Sequence, residues 1–155
     1  LTLYGARTEG LTPHCEDESP QALLEALQRV WDAKLKVDEH PLSIRLATPQ
    51  RAPAFWYFDH RLVRLALDAA IHNAVRFARS QVTLDVHEED GWLIWRVLDD
   101  GEGLGTEDPQ QDNATGLGTA LSEAVATAHR SQGRVGRIGL SSAPGQGTAF
   151  TMALP

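Results

Sequence analysis

The stretch from Asp99 to Gly118 constrains this chain more than any other part of its sequence. An apolar run, Trp92–Leu98, leads into Asp99. Two glycine-bearing segments follow, Asp99–Gly103 and Thr115–Gly118, each with glycine at alternating positions. Such glycines let a backbone turn sharply and approach a bound group closely. The pattern therefore predicts a strand, then a ligand-binding loop, then a helix that continues to about Arg130.

Two long amphipathic helices are predicted before this stretch. Ser19 and Pro20 supply an N-cap and a proline for the first turn of a helix that ends near Lys36, and Asp59 is predicted to cap a second helix that ends near Arg79. The acidic segment before the first helix, Glu16–Glu18, is predicted to be part of a linker. The apolar stripe of the first helix has the three- and four-residue spacing of one helix face, and it consists of Leu23, Leu24, Leu27, Val30, Trp31 and Leu35.

The second helix has a polar stripe and one polar residue away from it. At about 100° per residue, Asn73 falls on the flank of the apolar surface. A buried, unpaired amide costs on the order of 1–3 kcal/mol, so Asn73 either bonds to neighbouring backbone or faces a ligand or metal site; the sequence leaves both open. The stripe itself comprises Arg61, Arg64, Asp68, His72, Arg76 and Arg79.

Alternating or short apolar runs predict the strands. Glu89–Gly91 forms a hairpin turn between two of them, and Pro144–Gly147 connects the last two. Because helices and antiparallel strand pairs are segregated, the expected fold is α+β, a two-layer sandwich of three helices on a mixed, mainly antiparallel sheet of about five strands. The strand segments are residues 41–47, 55–58, 82–86, 92–98, 134–141 and 148–154.

Composition excludes several function classes. The 155 residues are predicted to form one domain, and a net charge of −7 with scattered Lys and Arg argues against a nucleic-acid partner. The single cysteine, Cys15, rules out an internal disulfide framework, and the six histidines show no pairing at metal-ligand spacing. No apolar run has the length of a membrane span. P-loop, dinucleotide-binding and nucleophile-elbow motifs are absent from the sequence.

Four motifs in order resemble the ATP-binding catalytic domain of sensor histidine kinases, a Bergerat-fold group that includes gyrase-type topoisomerases. The resemblance covers residues 19–155, and it implies the Bergerat fold. The motifs are Asn73–Phe77 (N box), Asp99–Gly103 (Asp-x-Gly-x-Gly box), Thr115–Gly118 (second glycine box) and Ser142–Phe150 (closing hairpin).

The resemblance implies a role for each site residue. Asp99 would accept a hydrogen bond from the adenine amino group, and Asn73 would be the Mg²⁺ ligand. Arg76 would face the phosphates as a second catalytic residue beside Asn73, and Phe77 would lie beside the adenine. Backbone N–H groups at the start of the following helix would bind phosphate. The remaining implied nucleotide contacts are Gly101, Gly103, Leu104, Thr115, Gly116, Leu117, Gly118 and Thr148.

The resemblance also implies function and partners. Residues 1–18 would be the end of a dimerisation helix followed by a linker, and residues 19–155 a domain that transfers the ATP γ-phosphoryl group to a histidine outside this chain. ATP and ADP, the dimerisation domain and a response regulator would be the partners, with a mostly monomeric fragment and a homodimeric parent. The domain would be cytoplasmic, in a parent that is either free or anchored in the inner membrane.

Departures from the family pattern define the alternatives. Ala69 stands where the family usually has Asn or an acidic residue, Ala114 stands where the second glycine box normally begins with glycine, and the segment between Gly103 and Gly116 is short. A degenerate nucleotide-binding or regulatory module without kinase activity is therefore the second hypothesis. A serine kinase of anti-sigma antagonists shares the fold but matches the first helix less well. His72 is either a substitute proton acceptor or a solvated residue.

Overall fold

The structure is a computed structural model that describes residues 11–103, 109–142 and 144–155, and in the helix that begins at Pro109 it describes side chains from residue 119 onward. The predicted end of a dimerisation helix, Leu1–Glu9, lies outside the described residues. Within them, none of the helices has the length and apolar character needed to cross a lipid bilayer.

Three helices pack on one face of a five-stranded sheet, which confirms the predicted α+β sandwich. The helices are α1 (Pro20–Val37), α2 (His60–Phe77) and α3 (Pro109–Ala128). The strands are β1 (Glu16–Glu18), β2 (Ser43–Leu46), β3 (Trp56–Phe58), β4 (Gln81–Glu89), β5 (Trp92–Asp99), β6 (Arg130–Ser131), β7 (Arg134–Val135), β8 (Arg137–Ser142) and β9 (Thr148–Leu154).

The main sheet has the order β2-β4-β5-β9-β8, and β2 runs parallel to β4 while the other neighbours are antiparallel. In this register Asp99 at the end of β5 pairs with Thr148 at the start of β9. The closing hairpin thus comes directly beside the Asp-x-Gly-x-Gly box. The sheet places two motifs that are about fifty residues apart in sequence at one end of one strand pair.

Both predicted helix starts are confirmed by their caps. The Ser19 hydroxyl accepts the N–H of Ala22 at 3.2 Å, and the Asp59 carboxylate accepts the N–H of Leu62 at 2.9 Å. The apolar stripes face the sheet as expected, except that Val30 is 47% exposed. The core between the layers contains Leu23, Leu27, Trp31, Phe58, Val63, Leu67, Ile71, Val82, Leu84, Leu93, Trp95, Val97, Met152 and Leu154.

Two predictions about the connecting segments are wrong. The acidic linker Glu16–Glu18 is a strand, because its backbone pairs with β3 in a separate two-stranded sheet, with Glu16 opposite Phe58. The predicted strand over residues 134–141 is divided in two at Gly136. A Cβ atom at Gly136 would lie 2.1 Å from the carbonyl oxygen of Ala126 in α3, so close packing on this helix interrupts the strand.

Candidate functional site

A cavity opens between the C-terminal half of α2, α3, and the ends of β5 and β9 where Asp99 and Thr148 lie. Four residues that the sequence predicts for the site line it together: Asn73, Phe77, Asp99 and Thr148. The cavity is therefore formed where three of the four motifs meet. Its other described lining residues are mostly apolar or small: Ala70, Ala74, Val97, Thr119, Ser122, Leu140 and Phe150.

Asp99 is the one ionisable residue among the described residues that line this cavity. Its side-chain Oδ1 accepts the N–H of Gly101 at 2.8 Å. Burial raises the pKa of the Asp99 carboxyl, the N–H groups of Gly101 and Thr148 oppose this rise, and the neighbouring charge of Asp100 adds to it. Asp99 thus presents a half-buried carboxylate to the cavity.

The adjacent carboxylate, Asp100, has a different environment. It accepts backbone N–H groups from Arg79 at 2.8 Å, Ser80 at 2.9 Å and Gln81 at 3.2 Å, and the Ser80 hydroxyl donates to it as well. Burial acts to raise the pKa of Asp100, but these hydrogen bonds outweigh it and hold the pKa well below its usual range. Asp100 is therefore ionised and engaged by the protein, whereas Asp99 faces the cavity.

Two glycines explain why the loop after β5 lies where it does. A Cβ atom at Gly101 would be 2.1 Å from the carbonyl oxygen of Phe77, the last residue of α2. A Cβ atom at Gly147, which also has a positive φ of 79°, would be 2.0 Å from the carbonyl oxygen of Asp99. The N–H of Gly145 donates to the Glu102 carbonyl at 2.7 Å. The loop is thus packed between α2 and the β8–β9 connection.

Arg76 and Phe77 take different positions at the end of α2. Phe77 lines the cavity, as the resemblance implies. Arg76 is exposed and is not among the described lining residues, but its guanidinium carbon lies 5.2 Å from the centre of the Phe77 ring. Arg76 is therefore next to the cavity rather than in its wall.

The prediction that Gly116 and Gly118 open a helix is wrong. Helix α3 begins at Pro109, so the second glycine box lies inside it. Proline favours the first helical position, and a glycine inside a helix costs only about 1 kcal/mol, so these glycines did not have to mark the boundary. Gly103 has a positive φ of 88°, as its loop position requires. Leu104 and the side chains of Thr115 and Leu117 lie outside the described residues.

His72 and Asp68 lie on the side of α2 that faces α1. The Trp31 indole N–H donates to Asp68 at 2.9 Å, and the Trp31 and His72 rings are 6.2 Å apart. Neither residue is among the described residues that line the cavity. Asp68 serves to connect the two helices, and the geometry favours the interpretation of His72 as a surface residue.

Several lining residues were not predicted from the sequence. Ser122 is buried, at 2% exposure, and lines the cavity from α3. Its position among Leu121, Val125 and Ala126 was a usable signal, because a polar residue inside an apolar helix face needs a partner or a ligand. Leu140 and Phe150 had no such signal, since apolar residues of alternating strands look alike whether they face a core or a cavity.

Comparisons with known proteins place the chain in a family. The family model described as histidine kinase-, DNA gyrase B-, and HSP90-like ATPase matches residues 58–155. The chain is also 27% identical over 111 residues to the heme sensor protein HssS of Staphylococcus haemolyticus (strain JCSC1435). That match covers 63% of this chain and 23% of the relative, so the chain spans about a quarter of the relative's length.

Solved structures of histidine kinases share the fold over nearly the whole chain. The histidine kinase AdeS of Acinetobacter baumannii matches with a TM-score of 0.76 and 25% identity, covering 99% of this chain and 73% of that one. Full-length ShkA in complex with AMPPNP matches with a TM-score of 0.80 and 23% identity, covering 99% and 34%. The catalytic domain of the histidine kinase ThkA matches with a TM-score of 0.70 and 12% identity, covering 92% and 96%.

The motifs, the fold and these similarities agree with one another. The resemblance drawn from the four sequence motifs is confirmed by the family match and by the histidine kinase structures. The chain belongs to the family of histidine kinase-, DNA gyrase B- and HSP90-like ATPases, and within it corresponds to the ATP-binding catalytic domain of a sensor histidine kinase.

Proposed function

We propose that this domain binds Mg²⁺-ATP in the cavity beside Asp99 and transfers the γ-phosphoryl group to a histidine of a dimerisation domain outside this chain. The observation that carries the proposal is the position of Asp99, a half-buried carboxylate in a mostly apolar cavity whose facing helix supplies Asn73 and Phe77. A mostly apolar cavity with one carboxylate in its wall suits a flat base that carries an amino group.

Recognition of adenine would use the end of the β5–β9 pair. An ionised carboxylate only accepts hydrogen bonds, so Asp99 favours a base with an exocyclic amino group over one with a carbonyl there. Val97, Leu140 and Phe150 line the same cavity and offer apolar contact to the base. Thr148, paired with Asp99 across the strands, is a further nucleotide contact in this proposal.

Mg²⁺ would be held through Asn73 and the nucleotide together. Among the described residues no group of three or more His, Cys, Asp and Glu side chains could hold a metal ion. A single amide oxygen fits the donor set of a Mg²⁺ ion that keeps most of its ligands as water and phosphate. When bound, the ion neutralises charge on the transferring phosphates.

The phosphates would extend from the base toward Arg76 and the second glycine box. Arg76 lies beside Phe77 on the exposed side of α2, where a guanidinium could reach a phosphate oxygen. Gly101, Gly103, Leu104 and the second glycine box (Thr115, Gly116, Leu117 and Gly118) remain nucleotide contacts that the resemblance predicts.

The rest of the system is proposed from the family. The residues before β1 would connect to the dimerisation domain that carries the acceptor histidine, the parent would be a homodimer, and a response regulator would receive the phosphoryl group. The location would be cytoplasmic. The fragment itself is expected to bind nucleotide as a monomer and to phosphorylate itself poorly, because the acceptor pattern of the family does not occur at any of its six histidines.

Calorimetric titration with Mg²⁺-ATP tests the binding step. The wild-type domain is expected to bind, and Asp99→Ala is expected to bind at least 10- to 100-fold more weakly, because a hydrogen bond to a charged group contributes about 1.5–3 kcal/mol. Asp32→Ala, an exposed aspartate on α1, is the matched control and is expected to bind as wild type does. Unchanged affinity in Asp99→Ala would contradict the adenine assignment.

The second candidate is a regulatory module that binds nucleotide without transferring phosphate. It is favoured by one observation: Asp99 is the one ionisable residue among the described lining residues, and it is assigned to the base. Supplying a separate dimerisation domain and following phosphate from labelled ATP separates the two candidates. Binding with transfer supports the kinase, and binding without transfer supports the module.

A further inference from the structure

One side chain joins the backbone after α2 to the backbone after β5. The Asp100 carboxylate accepts N–H groups from three consecutive residues, Arg79, Ser80 and Gln81, together with the Ser80 hydroxyl. The resemblance gives no role to this position of the Asp-x-Gly-x-Gly box, and its side chain is not among the described residues that line the cavity.

We propose that Asp100 is a positioning residue for nucleotide recognition: it holds Asp99 at a fixed place relative to α2, and thereby sets how strictly the pocket selects adenine. The inference deepens the proposed function and rests on it. Asp100 itself would not contact the nucleotide.

The pocket has two walls whose separation matters for recognition. One wall is the end of β5 with Asp99, and the other is α2 with Asn73 and Phe77. A base bound by Asp99 meets Phe77 correctly only if the two walls keep their separation. Of the described hydrogen bonds, those of Asp100 are the side-chain bonds that connect the residues just after α2 to the loop just after β5.

The loop after β5 has little freedom to move. Gly101 approaches the carbonyl of Phe77 so closely that it has no room for a Cβ atom, and Gly147 approaches the carbonyl of Asp99 in the same way. This close packing leaves the loop little room to move inward. The hydrogen bonds of Asp100 supply the attraction that stops it from moving outward, so the position of Asp99 is fixed from both sides.

Loss of the Asp100 carboxylate is expected to affect nucleotide recognition more than folding. Arg79 and Ser80 are exposed and Asp100 is half-exposed, so water can replace the lost acceptor and little stability is forfeited. Recognition of the base tolerates only a small displacement of Asp99, because a hydrogen bond weakens steeply once its angle or distance departs from the optimum. A displacement of Asp99 that costs little in folding would therefore remove its bond to the base.

The measurement compares ATP with inosine triphosphate, which has a carbonyl oxygen in place of the adenine amino group. The dissociation constants of both nucleotides, each with Mg²⁺, are measured on the same protein by calorimetry. Wild type is expected to prefer ATP by about 10- to 100-fold, the equivalent of one charge-assisted hydrogen bond. Asp100→Ala is expected to reduce this preference to about threefold or less, mainly by weakening ATP binding.

Two variants separate positioning from other effects. Asp100→Asn keeps one acceptor oxygen for the backbone N–H groups. Its amide nitrogen can donate to the Ser80 hydroxyl oxygen, so this variant is expected to retain most of the wild-type preference for ATP. Glu102→Ala removes an exposed negative charge from the same loop and is expected to leave the preference unchanged. If Asp100→Ala does not fold, Asp100→Ser, whose hydroxyl replaces only part of the acceptor set, is expected to show the same reduced preference.

The outcomes are distinguishable. A merely structural role would weaken ATP and inosine triphosphate equally in Asp100→Ala, and that result, or an unchanged ratio, overturns the inference. Failure of Asp100→Asn to restore the preference also overturns it. If wild type does not bind ATP, or binds both nucleotides equally, the proposed function of the site is what fails.

Discussion

The hairpin formed by β4 and β5 ends at the candidate nucleotide pocket on one side and at the Asp90–Gly91 turn on the other, and the two ends are built from different contacts. At the turn, Asp90 and Gly91 both have positive φ, of 53° and 82°. Arg134 donates to the Asp90 carbonyl at 3.0 Å, and the guanidinium carbons of Arg134 and Arg137 lie 5.1 and 4.5 Å from the centre of the Trp92 ring.

At the pocket end the contacts are made with backbone groups, and two of them leave no room for a Cβ atom. The Asp100 carboxylate accepts backbone N–H groups of residues 79–81. Gly101 and Gly147 lie so close to a neighbouring carbonyl oxygen that a Cβ atom would not fit at either position. The difference shows which end of the hairpin requires an exact fit. The turn end is held by its two turn residues and by exposed contacts of flexible arginine side chains, whereas the pocket end depends on close packing between backbone segments.

The largest expected effect is at the pocket end. Gly147→Ala combines a positive φ with a Cβ atom 2.0 Å from the Asp99 carbonyl oxygen, so the β9 start must move. Overpacking and backbone strain together predict a loss of about 2–4 kcal/mol in the free energy of unfolding, with loss of ATP binding, measured by urea denaturation and calorimetry.

Gly145→Ala is the matched control for that variant. Its φ of 78° is nearly the same, but a Cβ atom there meets nothing within 4 Å. Only the conformational strain remains, which is about 1 kcal/mol. Equal losses in the two glycine variants would show that the close approach to Asp99 does not limit the pocket end.

An intermediate effect is expected from a buried histidine near the opposite end of the sheet. His129 accepts the N–H of Asp59 on Nε2 at 3.0 Å, and its Nδ1 donates to the Val125 carbonyl at 2.9 Å. Burial lowers the pKa of His129, against the opposing effects of the Val125 bond and the Asp59 charge. The neutral form therefore joins the end of α3 to the start of α2.

The sign of the pH dependence follows from this lowered pKa. Above the ordinary histidine pKa of about 6.5 both states are neutral and the contribution to stability is complete. As pH falls below that value the unfolded chain takes up a proton that the folded chain does not, so stability decreases. Asp59 and Asp100, whose pKa values are lowered, add their own losses only in the more acidic aspartate range.

Thermal unfolding of wild type between pH 7 and pH 5 measures this effect. The midpoint is expected to fall with pH, and His129→Gln is expected to have a lower midpoint at pH 7 but a flatter pH profile. His72→Gln, which changes an exposed histidine, is expected to keep the wild-type profile. A profile in His129→Gln as steep as that of wild type would contradict the assignment.

The smallest effect is expected at the turn end. Arg137→Gln removes one of the two guanidinium groups from Trp92, and an exposed cation–π contact contributes about 0.5–1 kcal/mol. ATP affinity is expected to stay unchanged, because this contact is at the other end of β5 from Asp99. Arg29→Gln on the exposed side of α1 is the control for the charge change. A loss in the free energy of unfolding as large as that of Gly147→Ala, measured by urea denaturation, would contradict the contrast between the turn end and the pocket end of the hairpin.

Much of the fold was predictable because its signals are local. The N-caps Ser19 and Asp59, the helical spacing of Leu23 to Leu35 and the Asp90–Gly91 turn each depend on residues within a few positions of one another, and each was predicted correctly. The strand at Glu16–Glu18 was not predicted, because backbone pairing with β3 leaves no pattern in three acidic side chains.

The candidate site also has a part that could be predicted from the sequence and a part that could not. Asn73, Asp99 and Thr148 could be named from their motifs, but that they share one cavity follows from the register in which Asp99 pairs with Thr148. The role of Asp100 could not be predicted, because its partners are about twenty residues away and are backbone N–H groups, which every non-proline residue possesses. The start of α3 at Pro109 was missed because glycine is only a weak helix breaker.

The sequence by itself determined the two capped helices, the strands of the main sheet, the order of the motifs and the family to which they belong, since periodicity, capping and motif spacing are properties of the chain. The tertiary structure alone decided which carboxylate faces the cavity and which is bound by the backbone. Asp99 and Asp100 are the same residue type side by side. Only the packing of α2 and of the β8–β9 connection around them raises the pKa of one and lowers that of the other.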